Sequence, residues 1–284
     1  MDLSEKGTEV SCSPELREKL LRLRPIDDFF FRLISGRDEV CREILQTILK
    51  QENIHVVRSE SQYHLIGVNR SVIADAVCWT LSGSVYNIEV QKDEINDDFR
   101  RTRYHAAILT TNSTAKGSSF SEIPDVTVVY ISEYDALNSG KVVTKLQRSM
   151  HPDSKGDIPI NDGETILFAN TLINDGSKEA RLMQLFMSEE VFYDNEFPAL
   201  SEAVQHFKTT KEGFGYMCKL TRELIEEGKR EGKREGKREG KREGKREGQI
   251  ELALKMIKNG LLSAEDAITE YGIDRNALMK KLVK

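Results

Sequence analysis

The 284-residue chain is poor in the features that usually betray a class. Its four cysteines, Cys12, Cys41, Cys78 and Cys218, are scattered and form no Cys-x-x-Cys pair. That spacing argues against zinc and against a disulfide framework, and suits a reducing compartment. No apolar run approaches the roughly 18–20 residues of a membrane span, so no membrane partner is expected. The first residues are polar and acidic rather than basic and then apolar, so no secretory signal is read and a cytoplasmic location is expected. The net charge of −5 lacks the positive excess of a bulk nucleic-acid binder, which leaves any such contact to local patches. His55, His64, His151 and His206 show no metal-ligand spacing.

What is present is a chain with 38% hydrophobic and 31% charged residues, enough for one or two domains with a proper core. After a leader over 1–24, the pattern to about Asn53 is helical, with apolar stripes through Leu16, Leu20 and Leu23, then Phe30, Leu33 and Ile34, then Val40, Ile44 and Ile48. From Ile54 to Val90 the period changes to two. Val72–Trp79 and Val85–Gln91 are β-branched and aromatic runs separated by Ser82-Gly83-Ser84, and they predict a hairpin. A helix over about Phe99–Leu109 follows. Val126–Ile131 is almost wholly apolar, as a buried central strand is. Helices and strands around one sheet over 25–150 predict an α/β core. Residues 151–226 read as a mostly helical extension, with Ile166–Ala169 as an added strand.

One constellation carries chemistry. Asp75 interrupts the apolar run Val-Ile-Ala-Asp-Ala-Val, where an unpartnered carboxylate costs several kcal/mol. Glu89 and Gln91, two apart on the next strand, project from one face. If the hairpin turn centres on Ser82 or on Gly83, Asp75 lies opposite Glu89 or Gln91 respectively. Two converging carboxylates repel unless a hard cation lies between them, and magnesium takes a few carboxylates while keeping several waters. A buried, hydrogen-bonded acidic pair that only orients the hairpin is the alternative. Arg101, Arg103, Tyr104 and His105 stand on the following helix, suited either to phosphate contact and support of the carboxylates or to a solvated basic face with Tyr104 on the sheet. Asp28 could complete the site, but Asp27-Asp28 reads better as a helix cap before Phe29.

The motifs also come in a recognisable order. Asp28-Phe29-Phe30-Phe31-Arg32, Ser61-Gln62, Asp75, Val85-Tyr86-Asn87-Ile88-Glu89-Val90-Gln91, Arg101-Thr102-Arg103-Tyr104-His105, Lys116-Gly117-Ser118-Ser119-Phe120, Glu122-Ile123-Pro124-Asp125-Val126 and Ser132-Glu133-Tyr134-Asp135 together resemble the Rpn family of recombination-promoting nucleases and transposases, of PD-(D/E)XK type. The likeness runs from about Pro25 to Gly228. It implies a restriction-endonuclease-like mixed sheet flanked by helices, magnesium-dependent cleavage of DNA, and a role in recombination or transposition. It further implies that Asp75, Glu89 and the backbone carbonyl of Val90 are metal ligands, and that Gln91 is catalytic in the place of the usual lysine. A neutral amide can orient water but supplies no positive charge. The rival reading is therefore a catalytically idle DNA-binding or oligomerising module, and homo-oligomer formation stays open in either case.

Between Glu227 and Arg246 the tetrapeptide Glu-Gly-Lys-Arg repeats five times, and six glutamates against ten basic residues up to Glu247 give this spacer over 227–248 a charge of +4. Each glycine costs a helix about 1 kcal/mol relative to alanine. The four-residue period places like charges at i,i+4 and drifts about 40° per repeat, so no apolar face is fixed. A marginal helix continuing from Leu224 or a solvated charged linker fits. The tail, 249–284, has a capping-box variant at Ser263-Ala264-Glu265-Asp266, a stop at Gly272 and a cap at Asp274. It resembles a helix-turn-helix with Arg275, Lys280, Lys281 and Lys284 on or near its second helix, or a small docking unit.

Overall fold

A computed structural model describes residues 12–94, 97–153 and 156–282, so Lys284 lies outside the described residues. The chain divides into two compact units, Met1–Cys218 and Lys219–Lys284.

The first unit opens with three helices whose breaks follow the sequence punctuation: α1 (Pro14–Leu21), α2 (Asp28–Ile34) and α3 (Asp38–Leu49). Ser13 caps α1 by accepting from the Leu16 N–H at 3.2 Å, and Pro14 stands at the first helical position, where its missing N–H costs nothing. Then come β1 (Val56–Leu65), β2 (Val72–Thr80), β3 (Val85–Gln91), α4 (Asp98–Ser113) and β4 (Val126–Ser132). Beyond them lie β5 (Val143–Leu146), a small ribbon of β6 (Ser149–Met150) with β7 (Ile158–Pro159), β8 (Glu164–Asn170), α5 (Lys178–Phe186) and α6 (Pro198–Thr209).

The described strands form a mixed sheet in the order β1-β2-β3-β4-β8-β5. β1, β2 and β3 pair antiparallel, whereas β3–β4 and β4–β8 are parallel. α4 packs its Ala106, Ile108 and Leu109 over one face, against Val128, Tyr130 and Phe168 and against Val77, Val85 and Val126. α2 packs on β1–β3, α3 on β1, and α5 and α6 stack on α3. β4 is buried along its whole length, as its apolar run predicts. β8 contains the strand expected at Ile166–Ala169 and inserts between β4 and β5, so this sheet extends past residue 150. Its signal is short because a strand buried on both faces shows no alternation.

The cysteine expectation needs correction. Cys12 and Cys218 form a disulfide with Cα atoms 6.0 Å apart, bridging 206 positions of sequence. Local spacing carries no information about a pairing of that range. Cys41 and Cys78 are buried free thiols. No described helix is long and apolar enough to cross a membrane.

α7 (Lys211–Lys258) begins in the first unit and carries the repeat as unbroken, fully exposed helix in the second. α8 (Ala264–Thr269) and α9 (Arg275–Leu282) follow. Ile250, Ala253, Ala267 and Leu278 form the buried centre of this small unit. Ser263 caps α8 through Asp266 N–H at 3.0 Å, Asp274 caps α9 through Ala277 N–H at 2.8 Å, and Gly272 takes φ +62° between them. Arg275, Lys280 and Lys281 are exposed. A Cβ added to Gly236 or Gly240 would meet nothing within 4 Å. Replacing both by alanine should therefore raise helical stability by about 1 kcal/mol per site, read as later loss of helical circular dichroism on heating. The unfolding of the first unit should not shift.

Candidate active site

The hairpin register brings the two carboxylates together. Ala76 pairs with Ile88, Val77 with Asn87, Cys78 with Tyr86 and Trp79 with Val85, so the turn centres on Ser82 and Asp75 falls opposite Glu89. At that level side chains replace the ladder. Val90 N–H donates to Asp75 Oδ2 at 2.9 Å, and Asp75 N–H donates to Glu89 Oε1 at 3.2 Å. Each carboxylate thus takes a backbone donor from the other strand.

Glu89 is only 1% exposed, and its Oε2 has no hydrogen-bond partner. A buried carboxylate oxygen in that state asks for an explanation, and a cation supplies one. The nearest basic groups stop short of doing so. Arg101 Nη2 lies 3.7 Å from Oε2, while its Nη1 donates to Gln91 Oε1 at 2.9 Å. His105, one turn further along α4, puts Nδ1 3.2 Å from Glu89 Oε1 and 3.2 Å from Asn87 Nδ2. Facing a carboxylate, Nδ1 acts as the donor, and Asn87 then meets the ring best through Oδ1, which otherwise has no partner.

Asp75 is driven towards its neutral form. Burial, the Glu89 charge and the Asp28 charge raise its pKa to about 8, against the Val90 N–H and the Arg101 guanidinium, which lower it. The Glu89 carboxylate is close enough to oppose ionisation of Asp75.

The four residues expected on α4 separate. Arg101 and His105 meet the carboxylates; Arg103 is exposed, and Tyr104 donates its hydroxyl to the Arg70 carbonyl, closing the β1–β2 loop. A Cβ at Gly67 in that loop would overlap the Arg70 carbonyl, so Gly67 permits the closure. The helix-cap reading of Asp27-Asp28 is also corrected. Asp27 occupies the cap position of α2 but makes no cap hydrogen bond; its carboxylate accepts from Arg24 N–H at 2.6 Å and from Lys92 Nζ at 2.7 Å. Asp28 is the first helical residue, near enough to Asp75 for its charge to matter.

Sequence reasoning missed Asn87, although a polar residue two before Glu89 in an apolar strand was a usable signal. It also missed Asp98, buried at the start of α4, which accepts from Tyr130 Oη at 2.6 Å and Tyr134 Oη at 2.7 Å. Burial first, and hydrogen bonds within this cluster next, push the Tyr130 phenol up; Tyr134 rises to about 12 through burial and Asp98. Tyr130 pairs with Glu89 across β3–β4, so the cluster walls the site.

Among the described residues no group of three or more His, Cys, Asp or Glu side chains is gathered tightly enough to hold a metal ion. Two carboxylates with an unsatisfied buried oxygen still fit a cation that keeps much of its water. Residues 25–155 match the family model of the PD-(D/E)XK nuclease family transposases. Over these residues the chain is similar to that family. No curated protein and no solved structure matches the chain. The mixed sheet flanked by helices is the α/β core expected of PD-(D/E)XK proteins.

Proposed function

We propose that the protein is a magnesium-dependent DNA endonuclease acting in recombination or transposition. The observation that carries this reading is the buried, unsatisfied Glu89 Oε2 beside a second carboxylate whose own charge is suppressed. Asp75 and Glu89 would hold the cation with the Val90 carbonyl, which points to the same strand edge as the Val90 N–H bonded to Asp75. A bound divalent cation supplies an activated water and neutralises charge on the scissile phosphate. The chain's own residues do the rest. His105 and Asn87 fix the rotamer of Glu89, and Gln91 offers an amide to orient water. The PD-(D/E)XK lysine is absent, and Arg101 stands against both Glu89 and Gln91 with a permanent charge. DNA is the substrate, held by local basic groups rather than net charge, and the cytoplasm is the proposed location.

The placement of Arg101 makes a specific expectation. Arg101→Ala should lower Mg2+-dependent cleavage by about a hundredfold, the scale of one lost charge-stabilising group. Gln91→Lys alone should change little, because Arg101 already holds that position. In the Arg101→Ala background Gln91→Lys should restore a measurable part of the rate. Plasmid-nicking rates of the four proteins check this, and failure of the double variant to exceed Arg101→Ala would remove the charge-replacement argument.

A further inference from the structure

β1 and β2 are both irregular at the level of the proposed site. Gln62 has φ +53°, a left-handed conformation rare for a non-glycine residue and foreign to a strand interior. Ser61 pairs with Ala76 and Tyr63 with Ala74, so Gln62 stands directly across from Asp75. Side-chain alternation reverses there. Arg58 and Tyr63, five positions apart on β1, both lie on the Trp79 ring, 4.7 Å and 5.2 Å from its centre. Val77 and Ala74, three apart on β2, belong to one apolar cluster. Strict alternation puts residues at odd spacing on opposite faces, so both strands change face between those positions.

The hydrogen bonds show what this releases. Thr80 N–H bonds to Ser84 on the β3 side, so by alternation the N–H groups of Cys78 and Ala76 point to β3. Those of Trp79, Val77 and Asp75 would then point to β1, where Asp75 would meet the carbonyl of residue 62. Instead Asp75 N–H goes to Glu89 Oε1. Gln62 makes no side-chain hydrogen bond among the described residues, and its distinguishing feature is its backbone.

Resting on the two-carboxylate metal site proposed above, we infer that Gln62 is a positioning residue. Its left-handed backbone withdraws the β1 carbonyl from Asp75 and frees the Asp75 amide to fix Glu89 for the cation. Glycine and asparagine tolerate this conformation, whereas a β-branched residue resists it. Gln62→Gly and Gln62→Asn should keep Mn2+ affinity close to that of the parent protein. Gln62→Val should weaken it by about tenfold or more, the scale seen when support behind a metal ligand is lost. Calorimetric titration of Mn2+ into the full chain measures this, with Glu89→Ala as reference.

The second readout is the amide resonance and hydrogen exchange of Asp75 in the metal-free protein. Loss of Glu89 should move it, Gln62→Val should move it likewise, and Gln62→Gly should not. Gln62→Val matching the parent in this readout would overturn the inference. So would Gln62→Gly behaving like Gln62→Val, since the side chain would then be the active part. If the parent and Glu89→Ala take up Mn2+ alike, the metal-site reading fails, while the Asp75 amide still decides the role of Gln62.

Discussion

Glu89→Ala and Asp75→Ala should each reduce Mg2+-dependent DNA cleavage by on the order of a thousandfold or more. Each removes an oxygen expected to contribute several kcal/mol through the cation at the transition state. The same substitutions should not unfold the protein. Glu89 Oε2 is buried without a hydrogen bond, and removing either carboxylate relieves the repulsion between Glu89 and Asp75, which offsets the one backbone N–H that each substitution leaves unpaired. The expected signature is thus lost activity with an equal or higher melting temperature in chelator. A melting temperature falling together with activity would indicate that the pair is a structural element of the hairpin.

The second large effect is on pH. Asp75 in the metal-free protein has its pKa raised to about 8, from an ordinary carboxyl value of 3.8. A raised folded-state value means that its contribution to stability is complete below about pH 4 and is lost as pH climbs through 8. In chelator the parent protein should lose stability between these limits, on the order of several kcal/mol in all, and level off above them. Asp75→Asn cannot ionise, so the difference between the two stability curves should grow with pH in favour of the variant. Magnesium should reverse the loss, because the cation favours the ionised carboxylate. Denaturant unfolding from pH 5 to pH 9, with and without Mg2+, checks both the sign and the window. Parallel curves for the parent and Asp75→Asn would show that Asp75 is not held neutral.

Much of this was legible in the residues. Period-two runs on either side of Ser82-Gly83-Ser84 predicted β2 and β3, while the two pairings they left open for Asp75 are decided by the register, which centres the turn on Ser82. The apolar run of β4 predicted its central, buried place. What stayed hidden was of longer range or of backbone origin. The Cys12–Cys218 bridge joins residues 206 positions apart, and no periodicity encodes it. The cap reading of Asp27-Asp28 was a local rule, displaced when Arg24 and Lys92 claimed the Asp27 carboxylate. On α4 the spacing allowed Arg101, Arg103, Tyr104 and His105 to act together. Arg101 and His105, four apart, both reach Glu89, whereas Tyr104, also a helical neighbour of Arg101, turns its hydroxyl to the Arg70 carbonyl. The left-handed backbone of Gln62 has no signature in composition at all, since glycine is the usual residue for it.

The central claim is that Asp75 and Glu89 serve a divalent cation in cutting DNA. It is tested most directly by incubating supercoiled plasmid with the purified full chain, in Mg2+ and in chelator, beside Glu89→Ala prepared identically. Nicked and then linear DNA should appear with the parent protein in Mg2+, none in chelator, and none with Glu89→Ala. Intact plasmid with a folded parent protein at every Mg2+ concentration, or equal cutting by parent and variant, would contradict it.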